Sequence, residues 1–226
     1  MSGFMPLPLI RDPVLASIVR PAIIRGAPVE PQPQRRTVYA TDQRTAPPMR
    51  LQPGQAEVFQ LPLSAGEDAP QILGYLHNLS VQFGKSPYIR QFTVNGLLRA
   101  AGVGNNDQGR QAETVLNFVR RALTYVRDPV ESEYVISPIE LLAQIQAGQL
   151  AYGDCEDHCL LLNSMLASLG FPTRFVATTL DGADWYNHVI SSVFVGGRWV
   201  DIDPVAKGIM QPDYYEQMIG ETNWGE

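Results

Sequence analysis

Between residues 70 and 170 the apolar positions fall into helical stripes. In "EDAPQILGYLHNLSVQFG" Ile72, Tyr75, Leu76, Leu79 and Phe83 recur at three- and four-residue intervals, with Pro70 near the start and Gly84 at the stop. "SPYIRQFTVNGLLRAAG" predicts a second helix, with Ser86 as N-cap, Pro87 in its first turn and Gly102 past its end. In "NNDQGRQAETVLNFVRRALTYVRDP" Val115, Phe118, Ala122 and Val126 form one stripe, which carries a third helix up to Pro129. "SPIELLAQIQAG" is a shorter fourth with the same Ser-Pro start. The fifth follows "YGDCEDHC": Leu161, Leu162, Met165, Leu166 and Leu169 turn inward, and Gly170 with Pro172 ends it.

Beyond Gly170 the period shortens to two. "TRFVATTL", "NHVISSVFV" and "RWVDIDP" read as strands joined by "DG" and "GG" turn signals. Helices followed by consecutive antiparallel strands predict an α+β domain, which on this pattern occupies residues 67–226. No internal repeat is visible. Residues 1–66 differ in kind. Eleven of the 18 prolines fall within residues 1–63, densest in "VEPQPQRR" and "TAPPMRLQPGQ". Proline fixes φ and removes a backbone donor, so this stretch is read as an extended arm without long helices or central strands. Its apolar knots ("PLPLI", "PVLASIV", "PAIIRG") call for a protein partner to cover them.

Charge divides the chain at the same place. Residues 1–63 carry seven arginines against four acids, a net of +3, whereas the whole chain stands at −6. An acidic body argues against nucleic acid as a ligand. No segment is apolar for long enough to span a bilayer, and the prolines of the first 21 residues break the apolar run a signal peptide needs. Synthesis in the cytoplasm without export by that route is therefore expected. Two cysteines four residues apart on one helix are poorly placed to bridge, which fits a reducing compartment.

Those cysteines carry the candidate chemistry. Cys155 stands in the first turn of the fifth helix, where unpaired backbone N–H groups and the helix dipole would lower a thiol's pKa; Asp154, Glu156 and Asp157 oppose this. Three readings are open: a nucleophile, a metal site drawn from Cys155, His158, Cys159 and His188, or core cysteines. The strands add a test. If Gly196 and Gly197 form a two-residue hairpin loop, Val195 faces Arg198, Phe194 faces Trp199 and Ile190 faces Asp203. His188 then becomes the diagonal neighbour of Asp203, at about 7–8 Å between Cα atoms. Asp201 faces Ser192, out of reach. A thiol with a His–Asp pair is the nucleophile–base–orienter set of acyl transfer. In that reading Cys159 is a small core residue and His158 has no role.

"GDCEDHCLLLNSMLASLGFPTRFV" followed by "NHVISSVFVGGRWVDIDP" resembles the transglutaminase-like superfamily: G-x-C at a helix start, L-G-x-P-x-R at its end, a histidine on the next strand, then W-x-x-x-D-P. The resemblance implies a papain-like α+β fold. It implies Cys155 as nucleophile, His188 as general base and acid, and Asp203 as its orienter, with no metal and no cofactor. The implied substrate is a peptide or protein amide, to be hydrolysed or exchanged with an amine. For the oxyanion, Gln149 and Tyr134 are candidates beside the Cys155 N–H. The chain also resembles compact bacterial and phage-encoded members preceded by a "Y-x-x-DP" element, some of them virion components. This implies a place in a virion or its tail, with other virion subunits as partners of the arm. Two further functions stay open: a non-enzymatic structural or assembly subunit that keeps the fold, and a Cys/His metal-binding domain.

Overall fold

In the computed structural model of the chain, which describes residues 37–39, 58–61, 68–128, 133–179, 186–205 and 217–222, the cysteine-bearing helix is the centre of the fold. In chain order the elements are β1 (Thr37–Tyr39), β2 (Val58–Leu61), α1 (Asp68–Gly84), α2 (Pro87–Gln91), α3 (Gln108–Ala122), β3 (Leu123–Tyr125), β4 (Glu133–Ile136), α4 (Pro138–Gln146), β5 (Ala151–Gly153), α5 (Cys155–Ser168), β6 (Thr173–Thr178), β7 (His188–Val195), β8 (Arg198–Ile202) and β9 (Gln217–Thr222). All fourteen residues of α5 are buried. A helix covered on every side must be packed on every side. α1 and α3 lie against it from the helical layer, and β7 and β6 from the sheet.

The sheet has the order β1-β9-β6-β7-β8; the run β9-β6-β7-β8 is antiparallel throughout, and β1 pairs parallel to β9. The hairpin register holds as read: Val195 pairs with Arg198, Phe194 with Trp199 and Ser192 with Asp201. Gly196 and Gly197 both take positive φ, 61° and 78°, the conformation a tight two-residue hairpin turn demands. Phe194 and Trp199 meet edge to face at 5.4 Å, so Trp199 is a cross-strand packing residue. Two small sheets complete the described fold, β2 antiparallel to β4 and β3 parallel to β5. Strands β1 and β2, which lie within residues 1–66, pair with β9 and β4. The rest of the proposed arm, and its boundary at residue 66, lie outside the described residues. No helix among those described is long and apolar enough to cross a membrane.

Two local features depart from the helical stripes. The second helix continues from α2 into a π-helical stretch, Phe92–Leu98, where the Thr93 hydroxyl donates to the Ile89 carbonyl at 2.8 Å and competes with the regular ladder. The third helix does not reach Val126. It ends at Ala122, and Leu123–Tyr125 pass into β3. The stripe could not register the parallel partner Ala151–Gly153, which recruits Thr124 and Tyr125, residues that favour strands. That exchange matters for the site, because it seats Tyr125 beside Gly153, two residues before Cys155.

Candidate active site

The start of α5 is fixed from three directions. Asp154 is its N-cap; its carboxylate accepts from the N–H groups of Glu156 at 3.1 Å and Asp157 at 3.4 Å. Asp157 returns the favour by accepting from Asp154 N–H at 3.3 Å, which closes a capping box. Its other oxygen accepts from the Ile136 N–H at 2.6 Å and ties β4 to the helix. Gly153 is required here: a Cβ at that position would lie 2.5 Å from Asp157 Cβ, closer than real Cβ atoms come. The close approach it permits is that of the Asp157 side chain.

His188 opens β7 and Asp203 follows β8. Their side chains meet, His188 Nε2 to Asp203 Oδ2, at 2.9 Å with both groups largely buried. The other carboxylate oxygen of Asp203 accepts from Val205 N–H at 2.8 Å. Asp201, by contrast, is exposed at the Ser192 register. Cys155 is linked to the residue that follows His188. The main-chain N–H of Val189, the residue after His188, bonds to the Cys155 sulfur, and the Val189 carbonyl accepts from Cys159 Sγ at 3.3 Å. The helix start and the head of β7 are thus pinned together through one residue.

The thiol itself is not in the state that a helix N-terminus alone would give it. Burial drives the Cys155 pKa well above the ordinary thiol value, the charges of Glu156 and Asp154 push it further, and the Val189 N–H only partly offsets them. Cys155 is 6% exposed and donates to Glu156 Oε2 at 2.9 Å. The expected dipole effect is outweighed because the helix start is desolvated and flanked by two carboxylates.

The metal reading of Cys155, His158, Cys159 and His188 does not converge among the described residues. His158 is a buried core histidine. Its Nδ1 donates to the Asp154 carbonyl at 2.6 Å, the Leu123 main chain is a second partner, and burial lowers its pKa. Cys159 is fully buried against Val189. The donor atoms that do cluster are those of Asp154, Cys155 and Glu156, within 4.8 Å of one another. The oxyanion candidates separate as well. Gln149 is exposed in the turn after α4, its N–H closing on the Gln144 carbonyl at 2.9 Å, whereas an oxyanion donor works in a site that excludes water. Tyr134 is half-buried on β4, with its N–H held by the Asp128 carboxylate.

Two residues of the site escaped the sequence reading. Tyr125 had been placed on a helix. It lies on β3 with its ring 6.2 Å from that of His158, and burial followed by the charge of Cys155 raises its phenol to about 12. Arg120 carried no signal, since its role depends on a contact 83 residues away. Its Nε and Nη2 donate to the Asp203 carbonyl at 3.1 and 2.6 Å. Arg120 therefore fixes the main chain from which the Asp203 carboxylate hangs. Arg120→Met is expected to slow Cys155 alkylation by iodoacetamide on the order of 10- to 100-fold, with Arg120→Lys partly restoring it. Equal rates in all three proteins would show that Asp203 needs no such clamp.

Residues 97–204, just under half of the chain, match the family model described as the transglutaminase-like superfamily. No curated protein matches the chain. Among solved structures, a "putative protease" from Parabacteroides distasonis ATCC 8503 aligns at 16% identity with a TM-score of 0.40; the alignment covers 58% of this chain and 26% of that one. The matched segment runs from the end of the π-helical stretch through the cysteine helix to the residue after Asp203, and over these residues, which include Cys155, His188 and Asp203, the chain is similar to the transglutaminase-like superfamily.

Proposed function

We propose that the chain is a cysteine-nucleophile acyl-transfer enzyme that acts on an amide, by hydrolysis of a peptide or isopeptide bond ahead of amine exchange. The observation that carries this reading is the His188–Asp203 pair. Its 2.9 Å bond uses Nε2 and leaves Nδ1 as the imidazole's second functional atom, at the head of a strand pinned to Cys155. In the reaction the thiol proton passes from Sγ to His188 Nδ1 while Sγ bonds to the amide carbon. Asp203 holds the tautomer and stabilises the imidazolium. The Cys155 N–H, in the first helical turn, and Tyr134 are the proposed oxyanion donors. The imidazolium then protonates the departing amine, and water attacks the thioester to release the acid and restore the thiol. The domain division at residue 66 and a place in a phage virion or tail remain part of the proposal. Both rest on the composition of residues 1–66 and on the resemblance to compact phage-encoded members.

One observation favours the rival reading of a non-enzymatic assembly subunit: the thiol is buried and held protonated. The deciding experiment incubates the full chain, and its Cys155→Ala variant, with mixed peptides and N-acylated lysine peptides, read by mass spectrometry. Bond cleavage or amine exchange that disappears in the variant supports the enzyme. Identical product patterns for the two proteins would leave only the assembly role.

A further inference from the structure

Three acids surround the nucleophile, and two of them have backbone duties: Asp154 caps the helix, and Asp157 closes the capping box and binds Ile136. Glu156 is different. It is 8% exposed, and its Oε2 receives the Cys155 thiol at 2.9 Å. A carboxylate in that place opposes the chemistry for which the rest of the site is arranged. A negative charge within hydrogen-bond reach of a thiol disfavours the thiolate, and the low dielectric of a buried site strengthens the effect. A buried acid beside a nucleophile is also costly to keep.

We propose that Glu156 is a latch on the nucleophile: it holds Cys155 as the neutral thiol in the unliganded protein, and the thiol must leave Glu156 for His188 before it can attack. The inference rests on the cysteine-nucleophile reading. In the latched state the proton lies between Sγ and Oε2. On release the thiol turns from Glu156 to His188 Nδ1, its proton passes to the imidazole, and the thiolate is left paired with the imidazolium. The proton moves from sulfur to imidazole, so the site as a whole neither gains nor loses one.

The latch acts among other ionisable groups, which any test must hold constant. The Asp154 side chain hydrogen-bonds to Glu156 and Tyr125 interacts with its charge; Asp128 acts on Asp154 and Asp157, and Asp203, whose partner is His188, acts with Glu156 on Cys159. Glu156→Gln removes the ionisable carboxyl, preserves the shape, and leaves an amide oxygen able to accept the thiol.

The experiment measures iodoacetamide alkylation of Cys155 and Cys159 separately, by peptide mapping of the full chain between pH 6 and 9. The proteins are the natural one, Glu156→Gln and His188→Ala. Cys155 of Glu156→Gln is expected to react about tenfold faster at pH 7, with the midpoint of its pH profile about one unit lower. The Cys159 rate serves as the internal standard. A substitution that merely loosened the fold would accelerate both cysteines alike, and that result overturns the latch. So does an unchanged or slower Cys155 in Glu156→Gln. Failure of the nucleophile reading has a different signature, a Cys155 rate indifferent to His188→Ala, and it is read independently of the Glu156 variant.

Discussion

Replacement of His188 by alanine slows alkylation of Cys155 at pH 7 by about 100-fold or more, and leaves the slow reaction of Cys159 where it was. The size of the effect follows from what holds the thiol. Cys155 is buried, donates to a carboxylate and has its pKa driven well above the usual thiol range by burial and by Glu156 and Asp154. Without a base the thiolate is scarce at neutral pH. The His188–Asp203 pair can accept the proton and leave an ion pair in which imidazolium and thiolate stabilise each other. Cys159 provides the control within the same molecule. It is four residues further along the helix, fully buried, and bonded to the Val189 carbonyl. Asp203→Asn gives a smaller loss through the wrong tautomer. A Cys155 rate that survives His188→Ala would mean that the thiol is packing and the His–Asp pair a structural bond.

The strands of the site were legible in the sequence because a hairpin is a local object. Two glycines fixed the turn, the turn fixed the register, and the register set His188 diagonal to Asp203 with no knowledge of the rest of the fold. The helix start was legible too, with Cys155 in its first turn, but Asp154 and Asp157 read there only as first-turn acids, and the capping box they form shows only in the fold. What escaped depends on contacts distant in sequence. β3 looked helical because Val126 continues the stripe of Val115 and Phe118, and only pairing with residues 151–153 shows otherwise. Arg120 has no local mark at all. The state of the thiol was misjudged in a different way: the dipole belongs to the helix and can be read from sequence, but desolvation belongs to the assembled core. In the folded chain the second outweighs the first.

Asp157 is where the same burial shows as stability. Asp157→Ala is expected to cost about 2–4 kcal/mol, measured by urea unfolding at pH 7, because it leaves the Ile136 and Asp154 N–H groups without their acceptor and detaches β4 from α5. Asp157→Asn loses less, since one amide oxygen still accepts. The pH dependence separates the carboxylate's charge from its hydrogen bonds. Burial, reinforced by the charge of Asp154, holds the Asp157 pKa well above its ordinary 3.8. Between 3.8 and that raised value the folded chain keeps a proton that the unfolded chain releases, so this group's contribution to stability falls as pH rises and is regained as pH drops toward 4. His158 works in the opposite sense. Its pKa is lowered in the folded state from 6.5, so its contribution declines as pH falls through 6.5. Comparison with Asp157→Asn cancels His158, because both proteins contain it. The stability difference between natural protein and variant should therefore shift toward the natural protein as pH is lowered from 8 to 4, by up to about 1.4 kcal/mol per unit within the titrating range. A difference that is flat across that range would place the Asp157 carboxyl at its ordinary pKa and leave the capping box as its whole contribution.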